Sequence, residues 1–213
     1  MSRNPADTRA LLAVALGLLG AACASTRQPV PVAAKALALL DVGYAEGRFE
    51  RFAVAPGEEA PSSRVGRILL AQLARKGRFS VSDARDLDLR PSDLSRSLAT
   101  SATLRAEAPA DAWLSARLLA CGAWPKQATE ARGATASSGT ITVYWYSGEC
   151  TVRVDVVDAE GRRLATLEET GQWDSPRRDS PQGRLVQGQA LESAIEDAAR
   201  LLAERLVPGS PRM

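Results

Sequence analysis

Thr140–Asp158 reads TITVYWYSGECTVRVDVVD, the longest strand candidate in the chain and the one around which a sheet is expected to form. Its apolar residues occupy odd positions up to Trp145 and even positions from Cys150 onward. Successive side chains of a strand point to opposite faces, so one regular strand cannot bury both sets on the same side. We therefore expect a bulge or a tight bend at Ser147-Gly148.

The residues after this strand predict a hairpin and then a covering helix. Asp158-Ala159-Glu160-Gly161 is typical of a tight turn, so Arg162–Thr170 is expected to return as the partner strand. Gln172–Arg184 contains two prolines and is predicted to be a loop. Gly188–Leu206 predicts an amphipathic helix, because its apolar residues recur at helical spacing. These residues are Leu191, Ile195, Ala198, Leu202 and Leu206.

The preceding residues alternate strands with helices. Ala33–Tyr44 is ambiguous between helix and strand, and the spacing of its apolar residues slightly favours a strand. A strand is then predicted at Phe49–Ala55, stopped by Pro56-Gly57, followed by a helix that is capped by Ser62 or Ser63, runs to Lys76 and ends at Gly77. A short strand containing Phe79 and Val81 comes next, and then a weaker helix that begins at Pro91 and is ended by Ala108–Asp111. The last elements of this part are an apolar strand at Ala112–Trp124, ended by Pro125, and a polar, mobile loop at Lys126–Gly139.

Taken together, these elements follow the order β-α-β-α-β-β-β-α. The first half has β/α character, and the second half is a meander with a covering helix. We predict an α/β (α+β) fold, with a single mixed β-sheet flanked by helices in one domain over residues 33–208, followed by a short tail at 209–213.

The amino terminus has the layout of a bacterial export signal. The apolar segment Ala10–Ala22 follows two arginines, and it is shorter than the roughly 20 residues that a membrane-spanning helix needs. Its end, Leu19-Gly20-Ala21-Ala22-Cys23, resembles the lipobox of bacterial lipoproteins, although leucine is more usual than Gly20. The resemblance implies removal of residues 1–22 and acylation of Cys23. Ordinary cleavage is the alternative, because Ala22-Cys23-Ala24 also fits the A-x-A pattern.

The residues that follow Cys23 predict where the protein resides. Ala24–Val32 is polar and contains Pro29 and Pro31, so residues 23–32 are expected to form a flexible tether. The lipoprotein resemblance implies sorting to the outer membrane, facing the periplasm, because Ala24 and not aspartate follows the cysteine.

Composition excludes several classes of function. The chain has no histidine, which removes Ser-His-Asp and Cys-His nucleophile systems and the common zinc sites. Acidic and basic residues are interspersed in nearly equal numbers, which argues against nucleic-acid binding. We predict neither a cofactor nor a metal. Cys121 and Cys150 remain once Cys23 is acylated, and in an oxidising compartment they read as one disulfide, with two separately buried thiols as the alternative.

Four motifs resemble a family of envelope lipoproteins. Arg51-Phe52-Ala53-Val54-Ala55-Pro56 resembles the opening strand of lipoproteins related to the curli secretion lipoprotein, a fold that also occurs in the TolB amino-terminal domain and the penicillin-binding-protein activators. The other three motifs are the helix Val65–Leu73 followed by Lys76-Gly77-Arg78-Phe79-Ser80-Val81, Pro109-Ala110-Asp111-Ala112-Trp113-Leu114, and the hairpin Val152–Leu164.

The resemblance has limits and implications. Pro109 stands where the family has glycine, Pro56-Gly57 replaces its Pro-Phe, and the membrane-inserting hairpins of the curli channel have no counterpart. The resemblance implies a TolB amino-terminal-domain-like fold and a binding or assembly accessory of the envelope, not an enzyme.

Two groups of residues are candidates for a partner surface. Tyr144, Trp145 and Tyr146 form an aromatic cluster, for which the alternative is ordinary sheet packing. Arg177 and Arg178 could meet an acidic partner or anionic lipid headgroups, or form a solvated loop.

Two further groups have simpler explanations. Asp155, Asp158 and Glu160 match no calcium loop and are explained by turn chemistry. Ser62 and Ser63 have no visible base and are explained by helix capping.

We expect an outer-membrane-anchored lipoprotein whose non-catalytic domain binds protein partners in envelope assembly, secretion or cell-wall synthesis. The alternatives are a glycan- or small-molecule-binding module and a carboxylate-based periplasmic hydrolase, which would need two carboxylates facing each other in a cleft.

Replacing Cys23 with Ser should block lipid attachment and leave an unprocessed or soluble species. Stable attachment to a membrane needs more than one acyl chain, and the serine that replaces Cys23 lacks the sulfur to which the lipid is attached. Detergent-phase partitioning measures the effect, and partitioning equal to that of the wild type would refute the lipid anchor.

Overall fold

The computed structural model describes residues 28–45, 60–94, 98–131 and 139–209. Its strands are β1 (Val30–Val32), β2 (Ala36–Tyr44), β3 (Ser80–Asp83), β4 (Ala112–Ala131), β5 (Thr140–Val157), β6 (Arg163–Asp174) and β7 (Leu206–Pro208). Its helices are α1 (Pro61–Lys76), α2 (Pro91–Leu94), α3 (Leu98–Glu107) and α4 (Arg184–Arg205), with a 3-10 turn at Arg85–Leu87.

Five strands form one mixed sheet in the order β3-β2-β4-β5-β6. β2 is parallel to β3 and to β4, whereas β4, β5 and β6 form an antiparallel meander. Parallel neighbours require a crossover connection, and α1 lies in the crossover between β2 and β3. The predicted fold class, a mixed sheet flanked by helices, is confirmed.

The helices cover the two faces of the sheet unequally. The larger core joins α1 and α4 to one face and includes Leu69, Leu114 and Ile195, all fully buried. A smaller cluster lies on the opposite face, where Leu94 and Leu104 pack on Leu40 and Trp113. Asp111 joins the starts of β2 and β4, because its carboxylate accepts hydrogen bonds from the backbone amides of Lys35 and Ala36 at 2.7 and 2.9 Å. These bonds lower the pKa of Asp111.

Helix α4 lies unusually close to β5 and β6. A Cβ atom on Gly171 would lie 2.1 Å from the carbonyl oxygen of Ala194 and 2.2 Å from the backbone nitrogen of Ala198. One on Gly148 would lie 2.2 Å from the carbonyl oxygen of Ala190. The three alanines are spaced four residues apart and therefore share one face of the helix. Small residues on both elements allow the helix backbone to rest directly on the sheet.

The amino-terminal boundary of the domain differs from the prediction. Val30–Val32, which the sequence assigned to a tether, is strand β1 and pairs in parallel with β7. Leu206, predicted to be helical, begins β7. Val32 and Leu206 are both buried, and burial of their side chains favours the pairing. The pairing partner lies at the far end of the sequence, where local patterns give no indication of it.

Strand β4 continues past Pro125 to Ala131, so the predicted loop at residues 126–139 is wrong over residues 126–131. Beyond Leu118, β4 has no pairing with β2, and β5 is its only partner strand among the described residues. Proline is tolerated on such an edge because its nitrogen, which carries no hydrogen, faces away from β5, where no strand of the described chain needs a hydrogen bond from it.

The predicted bulge at Ser147-Gly148 is also wrong. The β4–β5 register is uninterrupted at those residues, and the irregularity lies in β4 between Leu118 and Ala120. In the first half of β5 the buried side chain is Val143, on the face of the odd-numbered residues. In the second half the buried side chains include Cys150, on the face of the even-numbered residues. The change of phase therefore marks a change in which face of β5 is buried.

Three further element boundaries were misplaced. Pro61 begins α1 and Ala60 is its N-cap, with no side-chain capping bond, so neither Ser62 nor Ser63 caps the helix. Gly77 ends it as predicted, in the left-handed conformation. The predicted loop at residues 172–184 is shorter, because β6 extends to Asp174 and α4 begins at Arg184.

Some predictions fall outside the described residues. They are the signal and Cys23, the strand at residues 49–55, Pro56-Gly57 and the tail beyond residue 209. Among the residues that are described, no helix has the length and apolar character needed to cross a bilayer.

The predicted disulfide between Cys121 and Cys150 is present, and these residues are direct partners across β4 and β5. Reduction should lower the melting temperature, because the bond closes a loop with a sequence separation of 29 residues. The chain-entropy model gives about 3–4 kcal/mol for such a loop. The Cys121→Ala/Cys150→Ala variant should melt at the same lowered temperature with or without reductant. A wild-type melting temperature that is the same with and without reductant would contradict the structure.

Replacing Gly171 with Ala should destabilise the domain by about 3 kcal/mol, because the added methyl meets helix backbone that cannot move aside as a side chain would. Gly188→Ala is the matched control. Gly188 lies on α4 with nothing within 4 Å of an added Cβ. That substitution should stabilise the helix by about 0.5–1 kcal/mol. Urea denaturation measures both, and similar midpoints for the two variants would refute the close contact.

Candidate functional site

Strands β4 and β5 extend beyond the rest of the sheet as a two-stranded arm. The pairing of β6 with β5 ends at Ser147, which lies opposite Asp174, and β2 ends opposite Leu118. Residues 125–131 and 140–146 therefore pair with each other as the arm, and no other strand of the described residues lies beside them in the sheet. The paired strands carry the predicted aromatic cluster.

The loop after β6 folds back along this arm. The amide of Tyr144 donates to the carbonyl of Arg178 at 2.7 Å, and the amide of Arg178 donates back at 3.0 Å. Ser175 makes a similar pair of bonds with Tyr146, in which the Tyr146 amide donates to the Ser175 hydroxyl at 2.8 Å. The side-chain amide of Gln182 donates to the Tyr144 carbonyl at 2.9 Å. These bonds hold the loop beside β5.

The loop places Arg177 over an aromatic ring. Its guanidinium carbon lies 4.7 Å from the centroid of the Trp145 ring, within the range of a cation–π interaction. The same guanidinium forms an ion pair with Glu130 on β4. Trp145 and Glu130 together hold the arginine against the arm.

A further tryptophan lies on the same face. Trp124 is 49% exposed, and its indole packs over Gly122, where a Cβ would lie 2.6 Å from the ring. Direct cross-strand partners share a face, and Lys126 is the partner of Trp145, so Trp124 is on the face of Trp145. We call this set the aromatic–arginine surface. It comprises Trp124, Trp145 and Arg177. Tyr144 and Tyr146 alternate with Trp145 along β5 and therefore lie on the opposite face, as does Arg178, the bridge partner of Tyr144.

The structure places the five residues predicted as a partner surface along the arm, but on two faces: Trp145 and Arg177 on one, and Tyr144, Tyr146 and Arg178 on the other. Tyr144, Trp145 and Tyr146 are half-buried, so their rings are neither wholly packed in the sheet nor fully open. Sequence reasoning missed Glu130 and Gln182, which support the arrangement. Both were in segments predicted to be loops, and no sequence signal linked them to the aromatic residues.

A second concave region lies at the carboxyl ends of β2 and β3. It encloses about 1150 Å³, and its described lining contains five arginines and four aspartates. The carboxyl ends of parallel strands are a common place for ligands in α/β proteins. Its electrostatics therefore bear on the hydrolase alternative.

Two of the four aspartates of this cleft, Asp83 and Asp41, are engaged by arginines. Arg85 donates to both carboxylate oxygens of Asp83, the shortest contact being 2.6 Å, and these bonds lower the pKa of Asp83. Arg117 forms an ion pair with Asp41 at 2.6 Å. The second oxygen of Asp41, Oδ1, is buried with no hydrogen-bond partner among the described residues. A general acid in glycoside hydrolysis needs a raised pKa, so the environment of Asp83 is the opposite of the one required.

The remaining acidic candidates have local structural roles. Asp158 Oδ1 accepts the amides of Glu160 and Arg162 and thereby closes the hairpin turn. Asp155 accepts the Thr166 hydroxyl at 2.5 Å and pairs with Arg163. Within the described ranges, no group of three or more potential metal-ligating side chains is found.

The comparisons give structural neighbours but no family. No protein-family model matches the chain, and no curated protein matches it significantly. Among solved structures, a PelC dodecamer from Paraburkholderia phytofirmans is 14% identical, covering 82% of this chain and 92% of that chain, with a TM-score of 0.39.

Two bacterial lipoproteins are also similar. A minor lipoprotein from Acinetobacter baumannii is 10% identical, covering 80% of this chain and 90% of its own, with a TM-score of 0.38. Lipoprotein GNA1162 from Neisseria meningitidis is 13% identical, covering 72% and 92%, with a TM-score of 0.35. Similarity at this level assigns neither a family nor a function, and the family resemblance of the motifs stays a prediction.

Proposed function

We propose that the chain is an outer-membrane-anchored lipoprotein whose periplasm-facing domain binds an envelope protein, without catalysis, through the aromatic–arginine surface. The observation that carries this proposal is the arm itself. It extends past the sheet and presents Trp124 at 49% exposure beside the stacked Trp145 and Arg177.

The residue types of this surface support a protein partner. Tryptophan, tyrosine and arginine are the side chains most enriched among residues that dominate binding energy at protein interfaces. Arg177 is already held by Trp145 and Glu130, so it loses less side-chain freedom on binding than an unrestrained arginine would. A partner with acidic and apolar groups would complement this surface.

The other two functions have weaker support. A glycan-binding module would use Tyr144, Trp145 and Tyr146, but these rings are half-buried, and the two tyrosines lie on the face opposite Trp145, so the three form no single platform for a sugar. A carboxylate hydrolase would need a proton donor, and Asp83 is held ionised by Arg85. The lipid anchor and outer-membrane sorting rest on the lipobox resemblance around Cys23.

A photo-crosslinking side chain at Trp124, introduced in cells that produce the full chain, should give discrete adducts with an envelope protein. Leu164 is the matched control position, because it is similarly exposed at 46% and lies at the start of β6. Adducts that form equally from both positions, or from neither, would contradict the proposal.

A charge-reversal variant extends this crosslinking experiment. Arg177→Glu should reduce the Trp124 adducts about tenfold or more, as the loss of an interface arginine costs 2 kcal/mol or more at a binding hot spot. Arg105→Glu is the control, since Arg105 also forms an exposed ion pair with a glutamate, Glu160, away from the arm. Equal losses in the two variants would indicate a nonspecific effect of charge and sink the proposed surface.

A further inference from the structure

The chain enters the domain at the carboxyl end of α4. Arg205 on the last turn of α4 donates from Nε to the carbonyl oxygen of Gln28 at 3.3 Å. Two residues later, Val30 pairs with Leu206. Cys23 precedes Gln28 by five residues, which span at most about 18 Å when fully extended. An acyl chain on Cys23 would therefore keep this end of the helix close to the membrane.

The arm lies at the other end of the same helix. Gln187, on the first turn of α4, donates to the carbonyl oxygen of Ala123 on β4 at 2.9 Å, and Ala190 rests on Gly148. With 22 residues, α4 is about 33 Å long. The helix thus separates the entry point of the chain from the base of the arm by more than the reach of residues 23–28.

The end of the domain near Gln28 carries a concentration of basic side chains. We call this set the entry-end basic surface, and it consists of Arg75, Lys76, Arg78, Arg200 and Arg205. They are connected through α4 and β7, since Lys76 pairs with Glu204 at 3.1 Å and Arg78 donates to the carbonyl oxygen of Glu204 at 3.0 Å.

Carboxylates neutralise only part of this charge. Arg205 pairs with Glu169, which is 4% exposed and faces the protein interior, and Arg200 pairs with Asp197 and Glu204. Arg75 is exposed, and neither Arg75 nor Arg78 has a carboxylate within ion-pair distance among the described residues. A net positive potential is left at the end where the chain enters.

We propose that the entry-end basic surface binds the anionic phospholipid headgroups of the leaflet that holds the acyl chains of Cys23. The inference rests on the proposed lipid anchor, which brings this end to the membrane. Headgroup binding then fixes the orientation: α4 stands away from the bilayer and carries the aromatic–arginine surface towards the periplasm. Arg177 and Arg178 are, in this orientation, available to a protein and not to headgroups.

The test separates the headgroup contact from the anchor. The mature chain from residue 23, with Cys23→Ser so that no lipid is attached, is mixed with vesicles of equimolar phosphatidylglycerol and phosphatidylcholine, or of phosphatidylcholine alone. We expect sedimentation with the anionic vesicles only, and loss of that binding when salt is raised from about 0.1 M to about 0.5 M, as screening requires. Equal binding to both vesicle types, or none to either, would overturn the proposal.

Two substitutions locate the contact. Arg75→Gln should weaken binding to the anionic vesicles about fivefold, the usual effect of removing one basic residue from a membrane surface. Arg184→Gln, which removes an exposed arginine at the first residue of α4, should leave binding within about twofold, because it lies far beyond the Debye length from the headgroups. Equal losses would mean that the domain lies along the bilayer, which would overturn the inferred orientation. Circular dichroism melts check that both variants fold.

Mass spectrometry of the amino-terminal peptide from the native protein reports the anchor independently. An acylated Cys23 together with no vesicle binding would sink the headgroup contact and leave the anchor intact. An unmodified Cys23 together with Arg75-dependent vesicle binding would sink the anchor and leave the contact.

Discussion

The close approach of α4 to β5 and β6 is the constraint on which the other features of the domain depend. Gly148 and Gly171 lie where any side chain would meet the helix backbone, and a stripe of alanines on α4 faces them. Contact at two points fixes both the height and the direction of the helix over the sheet. That direction brings the first turn of α4 to the base of the arm and its last turn to the strand pair β1–β7. The separation of the chain entry from the aromatic–arginine surface is a geometric consequence of this packing.

Local periodicity predicted the elements whose stability is mostly local in origin. Even-numbered apolar residues from Cys150 to Val156 identified the central part of β5, and the helical spacing of Ile195, Ala198 and Leu202 identified α4. Elements that depend on distant partners were missed or misjudged. Val30–Val32 is a strand only because Leu206–Pro208 lies beside it, and β4 passes through Pro125 only because β2 has already ended. Neither condition is visible within a window of neighbouring residues.

The candidate surface was predictable in its residue types but not in its construction. Aromatic and arginine residues stood out in composition, yet Tyr144 and Arg178 are joined through their backbones, which no side-chain pattern reports. Glu130, which pairs with Arg177, lay in a segment of small polar residues that favoured a loop. The cleft beside β2 and β3 had no motif at all, because its arginines and aspartates come from separate elements and pair only after folding.

The distribution of paired and unpaired charge explains why the two ends of the domain are proposed to act separately. On the open face of the sheet, Arg117 is neutralised by Asp41 and Arg153 by Glu168, so this middle region adds little net potential. The excess positive charge of the entry-end basic surface lies near one end of α4, and the arm lies near the other end, about 33 Å away by the length of the helix. That distance is roughly three to four Debye lengths at physiological salt, so a negative membrane at one end does not compete electrostatically with an acidic partner at the other. With the proposed anchor at Cys23, such a division would give the domain a defined orientation, because the charges near the chain entry would face the membrane and the arm would stay available to the proposed partner.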